Sequence, residues 1–95
     1  MKVGLSTLYM IGTPFEELLR EMERRSHVKY WEVADEDTHR LNEERVKQLK
    51  ELAGVYDFRY AVHAPFADMN LASFNERVRK VVLEEITRSL SLIHI

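Results

Sequence analysis

One segment of the sequence, YAVHAPFADMN at 60–70, places a histidine where a strand-like run ends. An imidazole, whose pKa is ordinarily near neutrality, can transfer a proton, ligate a metal ion or hydrogen-bond a sugar hydroxyl. His63 therefore has the chemistry of a site residue. The same position also suits a structural histidine that is tied to a neighbouring backbone carbonyl ahead of the turn at Pro65. The residues alone leave both interpretations open.

Glu32 is the second candidate, because it interrupts an otherwise apolar strand-like segment, HVKYWEVAD. A carboxylate inside such a strand must be paired, bound to a metal ion or protonated, since a lone buried charge is costly. One possibility is an ion pair with Arg59 on the neighbouring strand. The other is contact with a metal ion or with a substrate hydroxyl.

Further candidates lie in the segments that follow these two strands. Asp35, Glu36, Asp37 and His39 form an acidic loop of the kind that can hold a hard cation, although such loops also serve solubility. Among them we favour Glu36 and His39 as substrate contacts. Asn70 either orients its own loop by hydrogen-bonding the backbone or contacts substrate.

The elements that would position these residues alternate between two hydrophobic periodicities. An order βαβαβα with strands roughly 26 to 30 residues apart predicts parallel strands joined by helical crossovers. Right-handed crossovers place all three helices on one side of a sequentially ordered sheet. The strand-like segments are KVGLST, HVKYWEVAD and DFRYAVHA, and the helical segments are TPFEELLREMERR, NEERVKQLKELAG and the stretch after Ser73.

Capping signals predict where the helices begin and end. Pro14 suits the first position of the first helix. The third helix should carry one apolar stripe, formed by Val78, Val81, Val82, Ile86 and Leu90. The predicted caps and stops are a Thr13–Glu16 capping box, Asn42, Gly54 and a Ser73–Glu76 capping box.

The two faces of the predicted sheet differ in character. One face is bulky and apolar, whereas the other is small or polar and ends in Ser6, Glu32 and His63. An open sheet covered by helices on both sides would be apolar on both faces. The pattern instead favours the interior of a (β/α) barrel, whose active sites lie at the carboxyl ends of the strands. A complete barrel takes about 250 residues, so three units leave a strand edge uncovered. We expect either self-association through that edge or a piece of a longer barrel.

Composition narrows the class of protein. The 95 residues contain no cysteine, which excludes disulfides and thiolate metal sites, and the formal charge of −2 offers no bulk attraction to nucleic acid. No apolar stretch is long enough to span a bilayer, and the amino terminus makes a poor signal peptide. We expect a soluble, cytoplasmic protein with no membrane or nucleic-acid partner.

Three segments together resemble a known superfamily. GLST after the first strand, WEVADEDTHRLN after the second and YAVHAPFADMNLAS after the third resemble the sugar-phosphate isomerase/epimerase branch of the xylose isomerase-like TIM barrels. This superfamily also contains endonuclease IV-type apurinic-site nucleases. The resemblance covers about residues 2–90. It implies a (β/α)8 barrel, a divalent ion (Zn, Mn or Mg) and a small sugar or sugar phosphate as substrate.

The resemblance also implies roles for individual residues. His63 and Glu32 match positions that ligate metal or face substrate, and the segment from Glu36 to His39 matches a polar loop over the site. The metal core and the catalytic base of the family come largely from later strands, so we assign no catalytic residue. Residues 1–95 would then be the N-terminal part of one barrel domain. The final SLSLIHI, at 89–95, departs from the family and is a candidate non-native tail.

These expectations combine into one functional hypothesis. The parent protein would be a divalent-metal-dependent isomerase or epimerase that moves a proton next to a carbonyl, and this chain alone would be inactive. An alternative is a metal-dependent phosphodiesterase acting on apurinic sites, against which stand the missing basic groove and the few histidines. Another is a non-catalytic α/β module that binds a partner through its free strand edge.

Overall fold

The strands and helices alternate along the chain as predicted. The computed structural model describes residues 2–67 and 69–94. Short 3-10 turns follow the first two strands, over Thr7–Met10 and Asp37–His39. The strands are β1 (Gly4–Ser6), β2 (Tyr30–Ala34) and β3 (Arg59–His63), and the helices are α1 (Phe15–Arg24), α2 (Glu43–Tyr56) and α3 (Glu76–Ile93).

The three strands form one parallel sheet in the order β1-β2-β3, which confirms the predicted topology. Ser6 lies opposite Glu32, Glu32 lies opposite Ala61, and Ala34 lies opposite His63. Adjacent βα units are therefore adjacent in space, as they are around a barrel.

All three helices pack on the same face of the sheet. Side chains from α1, α2 and α3 join those of β2 in a single hydrophobic cluster around Trp31, whose ring meets Phe58 edge-on. Val3 lies before β1 and, at 70% exposed, does not contribute to this core. The helix-covered face is the core, and the second face of the sheet is left open.

The predicted ends of α1 and α2 were only partly right. The Thr13 hydroxyl donates to the Met10 carbonyl instead of capping α1, so the Thr13–Glu16 capping box does not form and Pro14 is the cap residue. Asn42 caps α2 as predicted, accepting from the Arg45 backbone N–H. Gly54 does not end α2; the helix continues to Tyr56 and closes at Asp57, which adopts a left-handed conformation with φ of 59°.

The third helix departs further from its predicted pattern. Asn75, not Ser73, is its cap residue, because the Asn75 carboxamide accepts from the Arg77 backbone N–H. Of the predicted apolar stripe only Val82 is buried, and Leu90 is 50% exposed. Ser89 and Leu92 are buried in place of the outer stripe members. Among the described helices, none combines the length and hydrophobicity needed to cross a membrane.

Candidate active site

Ser6, Glu32 and His63 lie on the same face of the sheet, the open face that the helices do not cover. We define this open face by the strand residues that alternate away from the helices, namely Gly4, Ser6, Tyr30, Glu32, Ala34, Arg59, Ala61 and His63. A groove of about 370 Å³ runs along it, lined by residues of all three strands, including Ser6 and Glu32. His63 lies beyond the lining, two positions past Ala61 toward the carboxyl end of β3. In a complete (β/α)8 barrel, this face of the sheet would line the barrel interior.

Ser6 and Glu32 form a hydrogen-bonded pair across β1 and β2. The Ser6 hydroxyl donates to Glu32 Oε1 at 3.2 Å, while its oxygen accepts from the Leu8 backbone N–H at 3.3 Å. With its hydroxyl oxygen engaged in this way, Ser6 holds the carboxylate in one orientation. This hydrogen bond engages Oε1, and the second carboxylate oxygen, Oε2, has no partner in the described part of the chain.

The sequence-based alternative for Glu32, an ion pair with Arg59, does not form between these two described residues. Arg59 lies opposite Tyr30 rather than Glu32, and its side chain is exposed. Glu32 is itself only partly buried, because the open face has no covering layer. The carboxylate therefore keeps contact with solvent and does not require a counter-ion.

The imidazole of His63 is held from two sides. Its Nδ1 lies 2.8 Å from the Ala64 carbonyl oxygen, and its ring meets Phe66 edge-on with centroids 4.7 Å apart. A carbonyl only accepts, so Nδ1 carries the proton and Nε2 of the neutral ring carries the lone pair. This is the contact with a neighbouring backbone carbonyl that the sequence allowed for a structural histidine. The same contact fixes the tautomer that a metal ligand or proton acceptor needs, because the ligating histidines of metal sites usually donate their other N–H in this way.

Glu36 contacts the backbone that follows β3 rather than an open pocket. Its Oε2 accepts from the Phe66 N–H at 2.8 Å and from the Ala67 N–H at 3.1 Å. These two bonds join loops that lie about 30 positions apart in the sequence. Glu36 is therefore hydrogen-bonded to the segment that directly follows His63.

His39 is not on the open face. Its side chain is fully buried, its Nε2 lies 3.0 Å from the Thr13 carbonyl oxygen, and its ring meets Phe15 edge-on. Burial lowers the pKa of the His39 imidazole from its usual value, and the hydrogen bond to Thr13 opposes that shift only in part. The structure gives His39 a packing role at the amino end of α1, and its role as a substrate contact stays a prediction.

Asn70 orients its own loop. Its side-chain oxygen accepts from the Ala72 N–H at 2.9 Å, and its carbonyl accepts from the Ser73 N–H. This is the backbone-bonding role that the sequence allowed, and the structure shows no link between Asn70 and the open face.

A buried ion pair between Asp35 and Arg88 was missed by the sequence analysis. Asp35 is fully buried, and both of its oxygens lie 3.1 Å from one guanidinium nitrogen of Arg88. The other terminal nitrogen of Arg88 donates to the Leu41 carbonyl, and Asp35 also accepts from the Leu41 N–H. The sequence did contain a sign of this pair. Asp35 continues the alternation of Trp31 and Val33, which places it on the buried face of the sheet, where a carboxylate needs a partner.

The ion pair extends toward the surface through Glu85. This carboxylate contacts Arg88 and also accepts from Arg40 at 2.7 Å. The hydrogen bond from Arg40 holds the pKa of Glu85 below its usual value. Together these residues attach α3 to the carboxyl end of β2, directly beside the loop that contains Glu36.

The predicted metal site can be compared with the side chains that could ligate a metal ion here. Within residues 2–67 and 69–94, no group of three or more His, Asp or Glu side chains is placed to hold a metal ion. Glu32 and His63 are two donors on the open face, fewer than the three or four protein ligands of a typical zinc site. The described residues therefore do not form a complete metal site.

Comparison with known proteins agrees with this geometry. No protein-family model matches the chain. Two uncharacterized proteins of Methanocaldococcus jannaschii are similar to it: MJ1311, 42% identical over 86 residues, and MJ1614, 37% identical over 87 residues. Each match covers 88% of the chain but only 28% and 32% of the two relatives.

A solved structure is similar over almost the whole chain. The crystal structure of a D-tagatose 3-epimerase-like protein matches with a TM-score of 0.80 and 40% identity, covering 96% of this chain and 33% of that one. The chain thus spans about a third of the length of the proteins that it matches. Its sequence-based resemblance is confirmed: the chain has the fold of three consecutive βα units of a xylose isomerase-like TIM barrel.

Proposed function

We propose that this chain forms one wall of the active site of a sugar isomerase or epimerase that moves a proton next to a carbonyl. The observation that carries the proposal is that Ser6, Glu32 and His63 lie on the face of the sheet away from the helices. Ser6 and His63 end β1 and β3, and Glu32 of β2 lies opposite Ser6. The 40% identity to a D-tagatose 3-epimerase-like protein supports the same class of reaction. A small sugar or sugar phosphate is the substrate in this proposal.

Each residue has a role that follows from its hydrogen bonds. Glu32, oriented by Ser6, has an unpartnered oxygen that can accept a hydrogen bond from a sugar hydroxyl. His63, with its proton fixed on Nδ1, presents Nε2 as an acceptor of a hydroxyl proton. Their Cα atoms are about 8 Å apart, from the strand spacing and rise, a separation that one small sugar can bridge. Both residues bind and orient substrate in this proposal, and the proton-transferring base is outside the described residues.

A divalent ion remains part of the proposal. Glu32 and His63 are the donors that this chain offers, and a carboxylate with an imidazole suits zinc or manganese. The remaining ligands would come from beyond these three βα units.

The test uses the longest polypeptide encoded at the locus that includes residues 1–95. Ketohexoses, ketopentoses and their phosphates are incubated with it in D2O, with Mn²⁺, Zn²⁺ or Mg²⁺ added in turn. Deuterium uptake at the carbon next to the carbonyl, followed by ¹H NMR, reports the proton transfer directly. We expect uptake together with the appearance of an isomer or epimer.

Two variants connect the activity to the open face. We expect Glu32→Gln to lower kcat/KM by about 10- to 100-fold, the loss expected when a hydrogen bond to a charged group is weakened. Glu23→Gln on the exposed surface of α1 is the matched control and should leave kcat/KM unchanged. Full activity in Glu32→Gln would remove this residue from the site. Absence of deuterium uptake with every sugar and metal would overturn the proposed reaction.

A further inference from the structure

We infer that Glu36 is a positioning residue for His63, acting through the backbone of the segment that follows β3. This role differs from the substrate contact expected of Glu36 from the sequence. It deepens the proposed function, on which its catalytic consequence rests, while its structural consequence can be tested without any activity.

The first step is the bond between Glu36 and the loop. One carboxylate oxygen accepts from two successive backbone N–H groups, those of Phe66 and Ala67, at 2.8 and 3.1 Å. Hydrogen bonds to an ionised acceptor are about twice as strong as neutral ones. A carboxylate that accepts two adjacent N–H groups fixes the direction of the backbone between them.

The second step is that few other hydrogen bonds of the described residues hold this backbone. Pro65 has no N–H to donate. The other backbone bonds to the segment, as far as the structure describes it, are Asp35 N–H to the His63 carbonyl and Met69 N–H to the Phe66 carbonyl. The first fixes where the segment begins and the second closes a turn within it. Glu36 is therefore the side chain that fastens the middle of the segment to the rest of the fold.

The third step connects the segment to the imidazole. Ala64 supplies the carbonyl that binds Nδ1 of His63, and Phe66 supplies the ring that packs against it. Both contacts belong to residues 64–67, the stretch that Glu36 holds. If the carboxylate releases Phe66 and Ala67, the ring contact and the carbonyl contact both lose their support. The single tautomer of His63, with Nε2 as acceptor, depends on this chain of contacts.

The position of Glu36 in the sequence fits this role. It stands directly after the buried Asp35, whose ion pair with Arg88 anchors the end of β2. A rigid anchor one residue away gives the Glu36 side chain a fixed base from which to reach across to β3. Aspartate, one methylene shorter, would not reach both N–H groups from the same backbone.

The experiment uses the 95-residue chain and three variants, Glu36→Ala, Glu36→Gln and Asp37→Asn. Asp37→Asn is the matched control: it removes one charge from the neighbouring exposed position, where φ is 48° and asparagine is tolerated. Hydrogen exchange of the Phe66 and Ala67 amides is measured, and ¹⁵N NMR of the His63 ring reports which nitrogen carries the proton.

In Glu36→Ala we expect both amides to exchange about 10- to 100-fold faster, the factor for losing a hydrogen bond to a charged group. We also expect the His63 ring signals to change from the Nδ1–H pattern to an average of both tautomers. Glu36→Gln keeps an acceptor oxygen and should be intermediate, and Asp37→Asn should match the unaltered chain. Far-UV circular dichroism on each variant identifies any that fails to fold, in which case Glu36→Gln alone decides.

Unchanged amide exchange and an unchanged His63 tautomer in Glu36→Ala, or in Glu36→Gln if the former unfolds, would overturn the inference. In the longer polypeptide, Glu36→Gln should lower kcat/KM, because the imidazole that binds and orients substrate loses its own fixed orientation. If that polypeptide shows no isomerase activity but the NMR changes occur, the positioning role stands and the proposed reaction fails. The two conclusions are therefore separable.

Discussion

Replacing Arg88 with methionine tests the buried ion pair that attaches α3 to β2. Methionine keeps much of the length and apolar stem of arginine, so the packing of α3 changes little. What changes is the environment of Asp35, which is fully buried and would keep only the Leu41 N–H of its present partners. The Leu41 carbonyl, which accepts from Arg88 at 2.9 Å, would lose that donor.

The expected loss of stability is about 3–5 kcal/mol, the usual effect of removing one partner from a buried pair and leaving the other charge uncompensated. A domain of this size has a free energy of unfolding of about 5–14 kcal/mol, from 0.05–0.15 kcal/mol per residue. Arg88→Met should therefore remove about a fifth of the total or more. A second substitution, Asp35→Asn in the same chain, removes the orphaned charge and should restore a large part of the loss.

The assay is urea unfolding followed by far-UV circular dichroism and by the fluorescence of Trp31, which is 1% exposed and reports on the core. Arg77→Met is the control, because Arg77 is exposed in the first turn of α3, and a surface change there should stay within about 0.5 kcal/mol. A loss in Arg88→Met below 1 kcal/mol would refute the reasoning. So would a double variant less stable than Arg88→Met alone, because removing the charge should help if its burial is the cause.

Two further predictions concern other parts of the fold. Because burial lowers the pKa of His39, the unfolded chain binds a proton there more readily than the folded chain, so stability should fall as the pH drops from 7 toward 5. Urea unfolding midpoints across that range should therefore change less in His39→Gln than in His27→Gln, which alters an exposed histidine and serves as the control. An equal pH dependence of the midpoints in the two variants would contradict the argument. Gly4→Ala should destabilise the chain by about 1–3 kcal/mol, because the added Cβ would lie 2.6 Å from the Tyr30 carbonyl oxygen. Gly54→Ala, in α2 with open space around it, should instead stabilise by about 0.5–1 kcal/mol, and thermal unfolding of both variants would show whether the signs differ.

The sheet could be predicted because its determinants are local and periodic. The alternation of apolar and polar residues placed Trp31 and Val33 on one face and Glu32 on the other, and a one-residue error would have reversed every assignment. The side on which the helices lie followed from crossover handedness. These properties need no knowledge of which distant residues meet.

The side-chain contacts of the candidate site could not be predicted in the same way. Glu36 lies in a sequence that resembles any acidic loop, and only the meeting of two loops shows that it binds backbone N–H groups. His39 looked available because it follows four polar residues, yet the turn at 37–39 directs it into the core beside Phe15. The cap of α3 was misplaced for a related reason, since Ser73 and Asn75 both offer a side-chain oxygen and the loop geometry selects between them.

The simple strand order has a consequence for the sequence of folding events. Ser6 and Glu32 are 26 positions apart, and Glu32 and Ala61 are 29 apart, so the two crossovers close loops of nearly equal length. The entropy of closure then differs by only about 0.1 kcal/mol, which is too little to decide which pair of strands forms first. The difference lies in the strands themselves: β2 and β3 share five registered positions, whereas β1 and β2 share three. The β2–β3 pair should therefore act as the folding nucleus, with β1 joining late and opening first when the native state fluctuates.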